Sequence, residues 1–355
     1  MKDCKVILSG IRPTGVLHLG NLFGAIQPCV DLSREQDNLG MYFIANLHGL
    51  TTDCGPKAAK AMKDDLPNMV LDFMAAGLDV EADNVLLYAQ SSVPEIAELT
   101  WIFACLTASG RLSGMSHFAE KRDSLKAGTE SATLGLLGYP VLMAADILGP
   151  KAAIVPVGED QHQHVELARD LAKRFNALFD VPGFFPVPDL RERGSIRVPS
   201  LTGRGKMSKN QPTGCVFIGD DAQTARRKIF KTDKRLTDPV TGELLAEPRI
   251  GDEPGDPEQC RVFRLHQQTG LVESNLTEVE SGCRAGTLRC GDCKVFLAEH
   301  VEAALAPIRA RRRELDAGGG IALANDVLRE HGLRARALIA PTVNEVKNIV
   351  GIPGY

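Results

Sequence analysis

Residues 6–21 read VILSGIRPTGVLHLGN, and the fold turns on this stretch. Lys5 to Leu8 is short, apolar and β-branched and stops at Ser9 and Gly10, the pattern of a buried strand. Pro13, Gly15 and Gly20 punctuate the loop that follows, and Asn21 stands where it can cap an apolar-periodic helix running toward Arg34. A strand, a Gly-rich loop and a helix N-terminus make a seat for phosphate, because backbone N–H groups and the helix dipole point at one place. Gly20 lets a flat base approach the backbone, and His18 can direct a proton-borne positive charge toward phosphate.

Far downstream, residues 206–209 read KMSK, two lysines three apart with a small hydroxyl between them. Such lysines are mobile point charges suited to a polyphosphate. Residues 18–21 (HLGN) and 206–209, in this order, resemble the two signature motifs of class I aminoacyl-tRNA synthetases. Asn210 stands where that family commonly has serine, which leaves only fine loop behaviour in doubt.

Working outward, 355 residues with 44% hydrophobic content suffice for two domains with separate cores. A formal net charge of −4 argues against a general nucleic-acid coat, while leaving room for local basic patches. No apolar run approaches the roughly 20 residues of a membrane span, and the N-terminus has no signal-peptide layout. No membrane association and a cytoplasmic location are therefore expected. Cys4, Cys29, Cys54, Cys105 and Cys215 are scattered singly among apolar segments, as reduced, buried cysteines of a cytosolic protein would be.

Strand-like runs 41–45 and 85–88 alternate with helical periodicity over 57–76 and 93–108. This alternation predicts an α/β fold whose parallel sheet is covered on both faces, with the site at the carboxyl ends of the strands. Residues 111–200 read as an insertion in the sheet, carrying a helix over 132–148, a strand over 153–157 and a helix over 162–175. Beyond Cys215, basic residues gather at Arg226, Arg227, Lys228, Lys231, Lys234 and Arg235. A long helix over 297–315 bears Arg309, Arg311, Arg312 and Arg313, Gly318–Gly320 breaks it, and a last helix spans about 333–349.

The stretches SGIRPTG (9–15), YPVLMAAD (139–146), GEDQ (158–161) and KMSK (206–209) stand in the order found in tryptophanyl-tRNA synthetases of the bacterial type. The resemblance covers nearly the whole chain. It implies a Rossmann-like parallel-sheet catalytic domain (1–212, with the insertion at about 111–200) and a helical anticodon-binding domain (213–320). The C-terminal helix (321–355) then packs back on the first domain. A homodimer is implied as well.

The implied reaction joins L-tryptophan to tRNA(Trp) by way of ATP, taken with Mg2+, through a tryptophanyl adenylate. His18, Lys121, Lys206 and Lys209 would stabilise phosphate charge. Arg12, Pro13, Thr14, Gly20, Asn21 and Val198 would line ATP with Met207, Ser208 and Asn210, while Gly158, Glu159 and Asp160 meet its ribose. Asp146 lies in an apolar helix, where a carboxylate needs a donor, and an indole N–H is a donor only. Leu8, His48 and Met143 would wall that pocket, with Tyr139 and Gln161 holding the substrate ammonium. A tyrosyl enzyme is the near alternative. A small-molecule nucleotidyltransferase and a non-catalytic relative are the more distant ones, and the basic stretches and intact motifs argue against them.

Four cysteines remain, spaced Cys260-x22-Cys283-x6-Cys290-x2-Cys293. Four thiolates around one point serve tetrahedral zinc or an iron–sulfur cluster. Zinc ribbons usually show two close pairs, and only Cys290 and Cys293 form one. The spacing resembles a 4Fe–4S motif of some bacterial tryptophanyl enzymes, with Zn2+ the alternative. Either would be a structural staple, since the reaction requires no redox step.

Overall fold

The computed structural model describes residues 4–13, 15–35, 37–51, 53–116, 118, 133–158, 161–192, 198–202, 205, 207, 211–232, 253–270 and 273–352. Five strands form one sheet: β1 (Lys5–Ile11), β2 (Asn38–Ile44), β3 (Val85–Ala89), β4 (Ile154–Val157) and β5 (Asp189–Glu192). They lie in the order β3-β2-β1-β4-β5, every pair parallel, with Lys5 opposite Asn38, Gly40 opposite Val85 and Ile154 opposite both Ile7 and Asp189. The strand order reverses between β1 and β4, so a crevice is expected there, beyond the carboxyl ends. Residues 111–200 are not an excursion from the sheet, as their sequence suggested. They hold two of its strands, and β5 is masked in sequence by proline-rich flanks.

The helices are α1 (Leu19–Asn21), α2 (Gln27–Ser33), α3 (Asn46–Leu50), α4 (Pro56–Ala75), α5 (Glu95–Leu106), α6 (Ser109–Ser113), α7 (Leu134–Leu148), α8 (His162–Leu178), α9 (Ala222–Phe230), α10 (Arg261–Gln268), α11 (Glu273–Ala285), α12 (Cys290–Ala317) and α13 (Gly320–Ile349). Between α1 and α2 the chain widens into a π turn at Leu22–Ile26. Pro28 has no N–H to return to the preceding turn, which accounts for the break.

Strand residues alternate between two apolar layers. Tyr42, Ile44, Val85 and Leu87 join α4 and α12 on one face, while Met41, Phe43, Leu86 and Tyr88 join α5, α7 and α8 on the other. The last helix serves both layers. Ala324 and Val327 of α13 enter the first, and Ala335, Ile339, Val343 and Val346 enter the second. It therefore wraps the free edge of β3, where the unpaired Leu87 N–H donates to buried His331 Nδ1 at 2.9 Å. Gly332 follows because a methyl there would stand 2.7 Å from Ser92 Cβ.

His331 must be neutral to accept that bond, and burial lowers its pKa, as does Arg334 nearby. A histidine with a lowered folded pKa contributes stability that is present above its unfolded value of about 6.5 and is lost as pH falls. Thermal stability is expected to drop between about pH 7 and 5, more in the parent chain than in His331→Gln, whose amide can still accept. Equal pH slopes for the two proteins would contradict this. Asp72, raised to about 6 by burial, acts with the opposite sign, which is why the parent–variant difference is the quantity to compare.

Candidate active site

The loop after β1 is built by long-range pairing. Leu19 N–H donates to the Val216 carbonyl at 3.0 Å, Ile218 N–H donates to the Leu17 carbonyl at 2.9 Å, and His18 bridges to Phe217. The Asn21 side-chain oxygen accepts the His18 N–H at 3.1 Å, closing the entry to α1. Met207 N–H donates to the Val198 carbonyl at 2.9 Å, and both side chains are buried with Leu17, Leu19 and Leu22. A methyl on Gly20 would lie 2.9 Å from His18 Cε1, 3.0 Å from its Nδ1 and 3.7 Å from Met207 Cβ. The two motifs, 187 positions apart from Gly20 to Met207, thus meet over one glycine.

Gly20→Ala is expected to push the His18 ring aside and to lower the rate of any phosphate chemistry there by about 100-fold, the scale of a 1 Å misplacement. Steady-state kinetics on a variant of unchanged melting temperature checks it. Parent-level turnover would show that His18 needs no such placement.

At the neighbouring strand ends, Asp146 of α7 is buried at 5% exposure. Its Oδ2 accepts from His48 Nε2 at 2.9 Å, and Gln90 Nε2 donates to Oδ1 at 2.8 Å and to Oδ2 at 2.9 Å. Burial raises the Asp146 pKa, and the hydrogen bonds and charge of His48, with the bond from Gln90, pull it back down. A carboxylate only accepts, so His48 carries its proton on Nε2. The ring of Tyr139 stands edge-on to His48 with centroids 6.2 Å apart, and its hydroxyl lies 2.9 Å from His164 Nε2. Leu8 and Met143 belong to the same apolar layer. Pro13 faces this group too, since a methyl on Gly49 would lie 3.4 Å from its ring.

Gly158 ends β4, and Gln161 precedes α8, its N–H donating to the Gly158 carbonyl at 2.9 Å. Arg12 follows β1 directly. Thr14, Lys121, Glu159, Asp160, Lys206, Ser208, Lys209 and Asn210 lie outside the described residues. Gln90 and His164 were missed from sequence. Nothing in their spacing marks them, because each becomes polar-site lining only when the strand ends are brought together.

The cysteines sit on three helices: Cys260 just before α10, Cys283 in α11, Cys290 and Cys293 in the first turn of α12. Burial pushes the Cys293 thiol up to about 12, and Cys260, Cys283 and Cys290 add to the rise. The four therefore lie within electrostatic reach of one another. Among the described residues, however, no group of three or more His, Cys, Asp or Glu side chains is arranged to hold a metal ion. The metal expected at Cys260, Cys283, Cys290 and Cys293 thus has no formed site. Part of the charge of the basic stretches is paired within the fold. Arg309 pairs with Glu302, Arg311 with Glu314, Arg312 with Asp72 and Asp316, and Lys228 with Asp220. Arg312 spends its charge tying α12 to α4, and pairing by local acids was invisible to a count of cations.

Residues 3–306 match the profile of the class I tRNA synthetases (W and Y). A tryptophan–tRNA ligase from Deinococcus radiodurans is 37% identical over 348 residues, 97% of this chain and 98% of that protein. One from Rhodopirellula baltica is also 37% identical, over 98% of this chain and 99% of its own. The chain belongs to the tryptophan–tRNA ligase family. Ligases of this family have the same fold: tryptophanyl-tRNA synthetase from Campylobacter jejuni, solved with ADP and tryptophan, superposes with a TM-score of 0.76 at 30% identity, over 98% of this chain and 99% of that one. The parallel sheet, the surrounding helices and the helical C-terminal part are those of a class I enzyme of the family. Among the described residues of this ligase, no helix is long and apolar enough to cross a membrane.

Proposed function

We propose that the chain activates L-tryptophan with ATP, giving tryptophanyl-AMP and pyrophosphate, and passes tryptophan to the 3′-terminal adenosine of tRNA(Trp) in the cytoplasm. Two observations carry this: the meeting of Gly20, His18 and Met207 past β1, and a buried Asp146 that accepts from His48 and Gln90. The tryptophan carboxylate attacks the α-phosphorus, the bond to the bridging oxygen breaks, and pyrophosphate leaves; Mg2+, when bound, would supply charge to the phosphates. Little covalent work falls to the protein, which holds the reactants in line and answers phosphate charge. His18, Lys206 and Lys209 supply that charge, Lys121 reaches toward phosphate, and ATP lies across residues 12–14, 20–21, 158–160 and 198. Met143 and Leu8 wall the indole, Tyr139 and Gln161 hold the ammonium, and Asp146 accepts the indole N–H. Tryptophan-dependent exchange of pyrophosphate into ATP, followed by charging of tRNA(Trp), tests both steps. Activation without charging would leave only the first half standing.

Catalysis is assigned to residues 1–212, anticodon binding to 213–320 and bracing of the first unit to 321–355. Phosphate contact by the helical unit makes tRNA binding weaken with salt, log K falling linearly with log salt concentration. Homodimerisation is favoured by Trp101, 69% exposed on α5 beside exposed Ala97, Ala104 and Cys105. The Trp101 emission maximum should shift to the red as a dimer is diluted apart, and no shift alongside monomer mass would refute that surface.

The four cysteines fit a 4Fe–4S cluster in donor type and number, and Zn2+ is the alternative. When bound, either group would tie α10, α11 and α12 together, outside the reaction. Protein purified without oxygen is expected to carry about four irons and a broad absorbance near ~400 nm, both lost in Cys290→Ser. One zinc and no iron would establish the alternative, and neither metal would refute both.

A further inference from the structure

Gln90 is 1% exposed in the short turn that ends β3, and every polar atom of its side chain is engaged. Its Nε2 donates to both oxygens of Asp146, while its Oε1 accepts the backbone N–H of Leu47 at 3.1 Å and of His48 at 3.3 Å. One amide therefore grips the carboxylate on α7 and the start of α3, whose His48 donates to the same carboxylate. Rotating the amide by half a turn would face N–H against N–H and oxygen against carboxylate, so its orientation is fixed by chemistry. A second brace joins the same two segments: Asn46 Nδ2 donates to Ser91 Oγ at 2.7 Å, and Ser91 N–H donates to Asn46 Oδ1 at 3.0 Å. Behind them Gly332 of α13 closes on Ser92 too tightly for a methyl. The turn is thus held on three sides, which is more than a loop needs to stay folded.

We propose that Gln90 is a positioning residue for amino-acid selection: it aims the Asp146 carboxylate, leaving one direction open for a single N–H donor from the substrate side chain. The inference rests on the assignment of the indole to Asp146. Gln90 does not meet the reacting atoms and acts through Asp146. With the Gln90 Nε2 amide donating to both oxygens and the His48 Nε2–H on Oδ2, Oδ1 keeps a further acceptor direction, set by where Gln90 holds that oxygen. A ligand side chain without a donor leaves that site unpaired, and rejection follows.

The test compares kcat/KM for tryptophan with that for 1-methyltryptophan, which lacks the N–H, in the full-length parent, Gln90→Met, Gln90→Glu and Asp146→Asn. Gln90→Met keeps length and removes the amide. Gln90→Glu keeps the acceptor toward Leu47 and His48 and sets a second carboxylate against Asp146. The parent ratio should be large. Both Gln90 variants should lower it about 10-fold or more, through a raised KM for tryptophan, with KM for ATP unchanged. Loss of mere scaffolding would lower both substrates alike and leave the ratio intact, and that result overturns the proposal. If Gln90→Met fails to fold, the ratio in Gln90→Glu decides alone. A parent ratio near one, unaltered in Asp146→Asn, would instead remove the indole assignment itself.

Discussion

Asp146→Ala is expected to lower kcat/KM for tryptophan-dependent pyrophosphate exchange by about 10⁴-fold, the margin by which sites built around a substrate hydrogen bond reject its absence. Two losses combine. The indole N–H would enter an apolar helix with no acceptor, and the donors of Gln90 and His48 would be left facing the gap, each a buried polar group without a partner. Because those donors belong to the fold as well, the melting temperature should fall too. Activity and stability therefore have to be measured on the same preparation. The KM for ATP should stay within a few-fold of the parent, since the side proposed to take ATP draws on the ends of β1 and β4 and the Met207 segment. A proportional loss for both substrates would instead point to general collapse of the pocket.

His18→Ala should lower kcat for the exchange by about 10²–10³-fold with little change in the KM for tryptophan, the usual cost of removing one donor to developing charge. The fold should survive. What His18 gives to structure is backbone: its N–H donates to Asn21 Oδ1, its carbonyl accepts from Leu22 N–H at 3.0 Å, and its bridge to Phe217 is main-chain. Alanine keeps all three. Rapid quench of the first turnover separates the outcomes, because a slow burst places the loss in chemistry, whereas a normal burst with slow turnover places it in product release.

Much of this arrangement was legible in the chain. The strand–loop–helix at 6–21 announced a parallel sheet, and periodicity located β2, β3, α4 and α5, because those elements bury one clean stripe or run. Asp146 was legible for the same reason: a carboxylate in an apolar run demands an explanation. Gln90 gave no such sign, since its role exists only once the ends of β2 and β3 face α7. The fifth strand was hidden for a different reason, being short, at the edge and flanked by prolines. The arginines of α12 were legible only as a basic stretch, and Asp72 on α4, over 200 residues earlier, takes one of them. Burial raises its carboxyl to about 6 in spite of that partner. The cysteines show the limit of spacing as evidence. The clustered four lie within electrostatic reach of one another, yet among the described residues they form no metal-holding group, and Cys4, Cys54 and Cys105, expected to be buried, are exposed.

The roles proposed for His18, Met207 and Asp146 are tested most directly by ATP–pyrophosphate exchange run in parallel with tryptophan, tyrosine and phenylalanine on protein purified without oxygen. Exchange with tryptophan alone is the predicted result. Exchange with tyrosine at a comparable rate, or none with any of the three from folded protein, would contradict it.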